Sequence, residues 1–202
     1  MELNKTAFPF LEEDCIRQFG AETGRRLLAQ TEAAYQTLLG EAGHYRDAAV
    51  RDHLRGKLLP MMAYYKALRA AGTAQEEALN CVRKETRRAA AVQKEKMKSL
   101  GRLPFAYTLF RLGAKKHMKK NFPPEGWAAE WVRCDGREIH FDLHRCMYRE
   151  LTERCGCPEL CRVYCENDDI VFSGLLPGIR FARAGTLGDG APCCDFHFFK
   201  GR

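Results

Sequence analysis

The sequence predicts an α+β fold in which a helical N-terminal layer packs on a small, mostly antiparallel sheet formed by two C-terminal hairpins. Apolar side chains recur at helical spacing through the first 121 residues, whereas short alternating segments and turn signals take over from residue 122 onwards. With 202 residues, 46% of them hydrophobic, the chain can bury a core of ordinary size. We therefore expect one domain, residues 1–202, made of a helical layer (1–121) and a cysteine-rich α/β part (122–202).

The helical layer is predicted to contain four helices. A long amphipathic helix covers residues 12–40, where apolar side chains recur on one face. The second helix contains Pro60 and is expected to kink or break there, because the proline ring clashes with the preceding turn. The third and fourth helices cover residues 73–99 and 103–118, and the proline pair within residues 121–124 ends the layer.

The cysteine-rich part is predicted to contain two hairpins separated by two short helices. In the second strand Ile139, Phe141 and Leu143 alternate with polar neighbours, so these three side chains are expected to face the core. The predicted elements are a strand from Trp127 to Val132, a turn at Cys134 to Gly136, a strand from Glu138 to His144, a helix from Cys146 to Cys155, a helix from Cys157 to Asn167 or Asp168, a strand from Ile179 to Leu187, a turn at Gly188 to Gly190, and a strand from Cys193 to Lys200.

The start of the chain lacks the basic and apolar regions of an export signal. No stretch reaches the roughly 20 apolar residues that span a bilayer. We therefore expect a cytoplasmic protein, and because the cytoplasm is reducing, its ten cysteines are interpreted as free thiols.

The net charge of +7 is concentrated in residues 83–120, which hold thirteen Lys or Arg against two Glu. A basic helix face can follow a nucleic-acid backbone. This stretch lacks interleaved aromatic residues, however, and the chain has no RNA-binding signature and no zinc-finger or helix-turn-helix spacing. Neither nucleic acid nor a membrane is therefore expected as a partner, and the local positive charge could instead attract an anionic small-molecule substrate. The oligomeric state stays unknown.

Eight of the ten cysteines lie between Cys134 and Cys194, so the chemistry is expected in that segment. Cys157, Cys161 and Cys165 recur every four residues and should share one helix face. Three thiols on one rigid helix cannot by themselves surround a tetrahedral metal, and the chain has no CxxC pair. Packing, a single reactive thiol among packed ones, or a metal site completed from elsewhere all fit this pattern.

The two candidate strands each place polar side chains on one face. His140, Asp142 and His144 alternate onto a face that fits either a metal site or an ordinary solvated surface. In the last strand Cys194 shares a face with the phenylalanines, whereas His197 lies on the opposite face with Cys193 and Asp195. An ideal strand therefore separates Cys194 from His197, which could instead activate a thiolate at Cys193 or at a facing helix cysteine.

Several separated motifs of this half resemble those of the L-2-amino-thiazoline-4-carboxylic acid hydrolase family. The matching segments are CMYRELTERCGCPELCRVYCENDD, GIRFARAGTLGDG and CCDFHF, which together cover about fifty residues well. The last piece also looks like the end of 4-vinyl-reductase-type ligand domains. The family positions correspond to Cys146, Cys165 with Asp168, Arg183 with Thr186 and Gly190, and Cys194-Asp195-Phe196.

The resemblance implies hydrolytic opening of a cyclic amidine such as 2-aminothiazoline-4-carboxylate to an N-carbamoyl-cysteine type product, without a cofactor or a metal ligand set. Such a reaction needs a nucleophile or base, a carboxylate for the protonated amidine and a cation for the substrate carboxylate. By this resemblance the catalytic residues are Cys165, Asp168, Asp169, Cys194 and His197, the thiol being Cys194 or Cys165 and His197 a proton shuttle. The substrate-binding residues are Cys146, Arg183 and Thr186.

Two other functions fit the same residues. A non-enzymatic sensor module would use these cysteines and aspartates to line a pocket for a small molecule or a metal. A structural zinc protein would bind about one metal ion per chain and unfold when a chelator removes it.

Overall fold

The computed structural model describes residues 2–202, which form two compact units, one ending at Ala89 and the other running from Ala90 to Arg202. The predicted α+β class is confirmed, because a helical first part is followed by a four-stranded antiparallel sheet with helices between its strands. That the chain forms a single domain stays a prediction. Within residues 2–202 no helix has both the length and the apolar composition that crossing a bilayer requires.

The first unit consists of helices. The predicted helix over residues 12–40 is wrong, because Gly20, with φ 80°, ends one helix and precedes the next. The break at Pro60 is confirmed, since one π-helical turn (Leu54–Leu58) leads into a helix that carries Pro60 in its first turn. The helices are α1 (Leu11–Phe19), α2 (Ala21–Glu41), α3 (Ala48–His53), α4 (Leu59–Ala70) and α5 (Gln75–Gly101), which ends in the second unit.

The second unit contains the sheet. Its strand order is β1-β2-β4-β3, so the two central strands are β2 and β4. The elements are α6 (Ala106–Asn121), β1 (Trp127–Cys134), β2 (Glu138–Cys146), α7 (Met147–Arg154), α8 (Glu159–Phe172), β3 (Ile179–Ala182) and β4 (Cys194–Lys200). The predicted turn at Cys134 to Gly136 therefore connects the paired strands β1 and β2, and the predicted turn at Gly188 to Gly190 lies between the paired strands β3 and β4.

The pairing of β2 with β4 is regular and sets the two faces of the sheet. Phe141 lies opposite Phe196, and Ile139 lies opposite Phe198. These apolar side chains are buried. The rings of Phe110 on α6 and Phe172 on α8 each lie 5.0 Å from the Phe198 ring. Helices α6 and α8 therefore pack against this apolar face, and the opposite face carries the polar residues of the same strands.

The largest differences from the predicted boundaries in the second unit are at the ends of α8 and β3, and the other bounds differ by two or three residues at most. Helix α8 continues past Asn167 and Asp168 to Phe172, because the Phe172 ring packs 4.8 Å from the Phe181 ring and on Phe198. The predicted strand from Ile179 to Leu187 pairs only as far as Ala182. The residues after it form a loop with one 3₁₀ turn at Leu187–Asp189, and this loop lies against α8.

Candidate active site

Helix α8 supplies thiols and carboxylates to one place in the second unit. Cys161 and Cys165 lie one turn apart on α8, and Cys165 hydrogen-bonds both to Cys161 and to Cys194 on β4. Cys161 and Cys194 are buried, and Cys165 is partly exposed. The apolar face of β4 points its Cys194 at α8 as strand parity requires. The fold thus brings three thiols into one hydrogen-bonded row.

Cys165 is the thiol that this row activates. Hydrogen bonds from Cys161 and Cys194, together with Thr186 and the nearby charge of Arg183, hold the pKa of Cys165 well below the usual thiol range. The pKa values of Cys161 and Cys194 move the opposite way, first because each donates to Cys165 and then because each is buried. Of the three thiols, Cys165 is therefore the one whose ionisation its neighbours favour.

The loop after β3 closes over this row. Leu187 N donates to Cys194 Sγ at 3.1 Å. A Cβ on Gly188 would lie 2.9 Å from Cys165 Sγ, so only glycine lets the loop approach so closely. Thr186 accepts a hydrogen bond from Asp189 N, and its hydroxyl lies 2.9 Å from Oδ2 of Asp189. The loop that carries Thr186 and Gly188 is therefore fitted against the thiolate.

Arg183 links this loop to the carboxylates of α8. Its guanidinium donates to Asp168 Oδ2 at 3.1 Å and to Asp169 Oδ2 at 2.7 Å, and it also donates to the carbonyl of Cys165. The Arg183 side chain is only 9% exposed. Burial raises the pKa of Asp168 to about 7, while the Arg183 charge acts in the opposite direction. Asp168 therefore titrates near neutral pH, where a general acid or base is most effective.

An open pocket of about 230 Å³ adjoins these charges. Arg183 and Asp169 belong to its wall, and so does Arg162, whose Nε lies 3.0 Å from Asp189 Oδ1. The lining residues are Arg162, Glu166, Asp169, Arg183, Ala184, Gly185 and Asp189. The wall carries charges of both signs, two guanidinium groups and three carboxylates, which suits a small ligand that itself carries both a negative and a positive group.

A family model described as L-2-amino-thiazoline-4-carboxylic acid hydrolase matches residues 51–198. The chain belongs to this hydrolase family. The resemblance predicted from the C-terminal motifs is thereby confirmed and extends well into the helical half. The comparisons with curated proteins and with solved structures find no match.

The Cys194-Asp195-Phe196 motif of this hydrolase-family chain places its cysteine and its aspartate on opposite faces of β4. Cys194 joins the thiol row, whereas Asp195 accepts hydrogen bonds from Ala184 N at 2.7 Å and Gly185 N at 2.8 Å. Burial opposes ionisation of Asp195, but these backbone donors hold its pKa below the usual value. The motif aspartate thus fixes the loop that carries Arg183.

The structure also locates the remaining predicted site residues of the hydrolase. Cys146 ends β2 near Cys165, and burial raises its pKa to about 11. His197 does not join the thiols, because it lies three residues after Cys194 in a regularly paired strand. Its Nδ1 lies 2.6 Å from Glu138 Oε1, and its ring stacks 3.8 Å from the His140 ring. His197 therefore lies on the other face of the sheet from the thiols, and the directions of the two pKa shifts favour Cys165 over Cys194 as the thiolate.

Arg162 and Glu166 line the pocket but were missed in the sequence. They lie four residues apart on α8, and Asp169 follows at the next helical step. This row runs beside the cysteine row of the same helix. The helical spacing of these charged residues can be read from the sequence, but such a row usually forms a solvent-exposed helix face. Here the row lines a pocket because the loop after β3 lies against α8.

Proposed function

We propose that the chain is a thiol-dependent hydrolase that opens a small cyclic amidine or thiazoline ring, with 2-aminothiazoline-4-carboxylate as substrate. The observation that carries the proposal is that Arg183, which lines the open pocket, contacts the Cys165 carbonyl and both carboxylates, so that the thiol row adjoins a charged cavity. The membership of the hydrolase family supports the reaction class. The product is then N-carbamoyl-cysteine.

The reaction consumes one water molecule. The Cys165 thiolate, or water that it activates, adds to the ring carbon between sulfur and nitrogen. The bond from this carbon to the ring sulfur breaks, and the ring sulfur leaves as the thiol of the product. Where the thiolate itself adds, water then attacks the same carbon, releases the urea group of the product and returns Cys165 as the thiolate. The carbon–nitrogen bond of the ring stays intact.

The groups around Cys165 can serve this reaction. Asp168, with its pKa raised to about 7, can give a proton to the departing sulfur or take one from water. Asp169 is the more exposed carboxylate and faces the pocket, where a protonated amidine would bind. Arg183 is 9% exposed and holds two carboxylates, whereas Arg162 contacts one, Asp189, through Nε, and its side chain is 67% exposed; we therefore assign the substrate carboxylate to Arg162. Arg183 then positions Asp168 and Asp169.

The test is turnover of 2-aminothiazoline-4-carboxylate by the full chain, followed by mass spectrometry of the product. Cys165→Ala should lower kcat by about a thousandfold or more, because the nucleophile is lost. Arg162→Ala should raise KM roughly tenfold with little change in kcat, because a charged hydrogen bond to the substrate is lost. The matched control is Cys193→Ala, which removes a thiol from the opposite face of the same strand end and should leave turnover unchanged.

Two results contradict the proposal. One is turnover that survives Cys165→Ala while Cys194→Ala abolishes it, which would move the nucleophile to β4. The other is ligand binding, seen as a raised thermal midpoint, without product from the unaltered protein, which would make this a binding module. A circular dichroism spectrum of each variant separates loss of chemistry from loss of fold.

A further inference from the structure

A second cluster of chemically active side chains lies on the face of the sheet opposite the thiols. Glu138 and His140 alternate along β2, and the β2–β4 register places His197 directly across from His140. One ligand atom from each of these three residues lies within 4.8 Å of the others. Their side chains are 16%, 18% and 25% exposed, so they are shielded from water without being sealed off. We call these three residues the imidazole cluster.

Carboxylates contact both imidazoles and determine which ring nitrogens hold a proton. Nε2 of His140 lies 3.1 Å from Asp142 Oδ1, and because a carboxylate can only accept, this nitrogen carries the proton. Nδ1 of His140 is thereby left with a lone pair for a ligand. Nδ1 of His197 instead shares a proton with Glu138 Oε1, 2.6 Å away, and its Nε2 lies 3.5 Å from Asp195 Oδ2, so a metal ion must displace that proton to bind there. A carboxylate behind each imidazole is the arrangement that orients histidine ligands of metal ions.

The charge of the cluster also favours a cation. Three carboxylates, from Glu138, Asp142 and Asp195, surround two imidazoles. Within residues 2–202 the cation that pairs with one of these carboxylates is Arg133, 3.5 Å from Glu138 Oε2. The other carboxylate oxygen of Glu138 points at His197 Nδ1, at 2.6 Å. A metal ion entering between them would replace the shared proton and move the two atoms apart to roughly 3.3 Å, as tetrahedral zinc geometry requires.

We propose that Glu138, His140 and His197 bind one Zn²⁺ ion, with a fourth coordination position open to water. Two imidazoles and one carboxylate are a ligand set that zinc takes in sites with an open position, and imidazole nitrogen selects zinc over magnesium or calcium. The site is separate from the thiol row on the other face of the sheet. The inference therefore does not depend on the proposed hydrolysis and is tested by metal binding alone.

The test is elemental analysis of the full chain after chelator treatment, reloading with Zn²⁺ and removal of excess metal. The unaltered protein should retain about one zinc per chain, and His140→Ala and His197→Ala should abolish it. Asp142→Asn should lower zinc affinity about 10- to 100-fold, because it removes only the carboxylate behind His140. The matched control is His144→Ala, on the same face of β2, where the imidazole contacts the exposed Glu130 instead.

The thiols are the competing ligands, and they can be distinguished. Cys165→Ser should retain zinc, and reloading with Co²⁺ should give a tetrahedral spectrum without sulfur charge-transfer bands. Absence of zinc from the unaltered protein, zinc retained in both histidine variants, or zinc lost in Cys165→Ser would each overturn the proposal. If either histidine variant fails to fold, Glu138→Gln, which keeps the shape of the side chain, decides the matter by the same measurement.

Discussion

Gly188 is the residue at which the site tolerates added volume least. A Cβ there would meet Cys165 Sγ at 2.9 Å and Arg162 N at 3.1 Å, and the backbone of α8 cannot yield as a flexible side chain can. Gly188→Ala should therefore push the loop after β3 away from the thiolate, at a cost of about 1 to 3 kcal/mol in the free energy of unfolding. Chemical denaturation and the turnover assay measure the two effects.

Gly113 provides the control for this substitution. It lies within α6, and a Cβ there would meet no atom within 4 Å. Gly113→Ala should therefore leave turnover unchanged and stabilise the protein by roughly 0.5 to 1 kcal/mol through helix propensity. Equal effects of the two substitutions would show that the contact of Gly188 with Cys165 has no consequence for the site.

Among the helices and strands, the hydrophobic pattern predicted which face of each strand is buried. It did not predict helix ends that depend on a single residue or on a distant contact. The apolar stripes of β2 and β4 were predictable because pleat parity is strict, and the same parity separated Cys194 from His197. The break at Gly20 was missed because the apolar repeat of residues 12–40 continues across it. The last turn of α8 was missed because Phe172 is held by partners on β3 and β4, and such contacts cannot be read from neighbouring residues.

Helix α5 carries a carboxyl group that opposes folding at neutral pH. The Glu85 side chain is 2% exposed, and one of its oxygens is buried without a hydrogen-bond partner. Burial, and then the charge of Asp14, raise the pKa of Glu85 to about 7, against the partial compensation of Lys84 and Arg88. The folded state therefore holds the proton of Glu85 more tightly than the unfolded chain does.

Because Glu85 loses its proton near pH 4.5 in the unfolded chain but near pH 7 in the folded protein, the free energy of unfolding falls as pH rises between these values. The expected loss is roughly 3 kcal/mol from this group. Glu85→Gln, which cannot ionise, should lose less stability over that range and be more stable than the unaltered protein above pH 7. Thermal midpoints measured across pH test this, with the exposed Glu77→Gln as control. Parallel pH profiles for the unaltered protein and Glu85→Gln would contradict it.

For the whole molecule, the central strands β2 and β4 present different chemistry on their two faces. One face carries Cys194 and the apolar core and meets the thiols of α8, and the other carries the imidazole cluster. The same register that buries Phe141 on Phe196 sets His140 against His197. A slip of one residue would exchange the faces and destroy both groups at once, so the apolar core also fixes the position of each candidate site.

The ten thiols of the chain differ in pKa, and these differences predict which thiol is alkylated first. The pKa is raised at Cys15, Cys81, Cys146, Cys161, Cys193 and Cys194, with burial as the leading cause at all but Cys161 and Cys194. It is lowered at Cys165. Since the thiolate is the form that alkylates, iodoacetamide at mildly acidic pH should label Cys165 ahead of the others. Peptide mass spectrometry at short times measures the order.

The Cys165 preference should depend on its two neighbouring thiols and not on accessibility alone. In Cys161→Ala and in Cys194→Ala, which each remove one hydrogen-bond donor, labelling of Cys165 at the same pH should slow, because its pKa rises towards that of an ordinary thiol. Cys193→Ala removes an equally small side chain on the opposite face and should leave the rate unchanged. Two results would show that exposure and not the thiol row governs reactivity. One is labelling of Cys193 before Cys165 in the unaltered protein, and the other is a Cys165 labelling rate that stays the same in Cys161→Ala and Cys194→Ala.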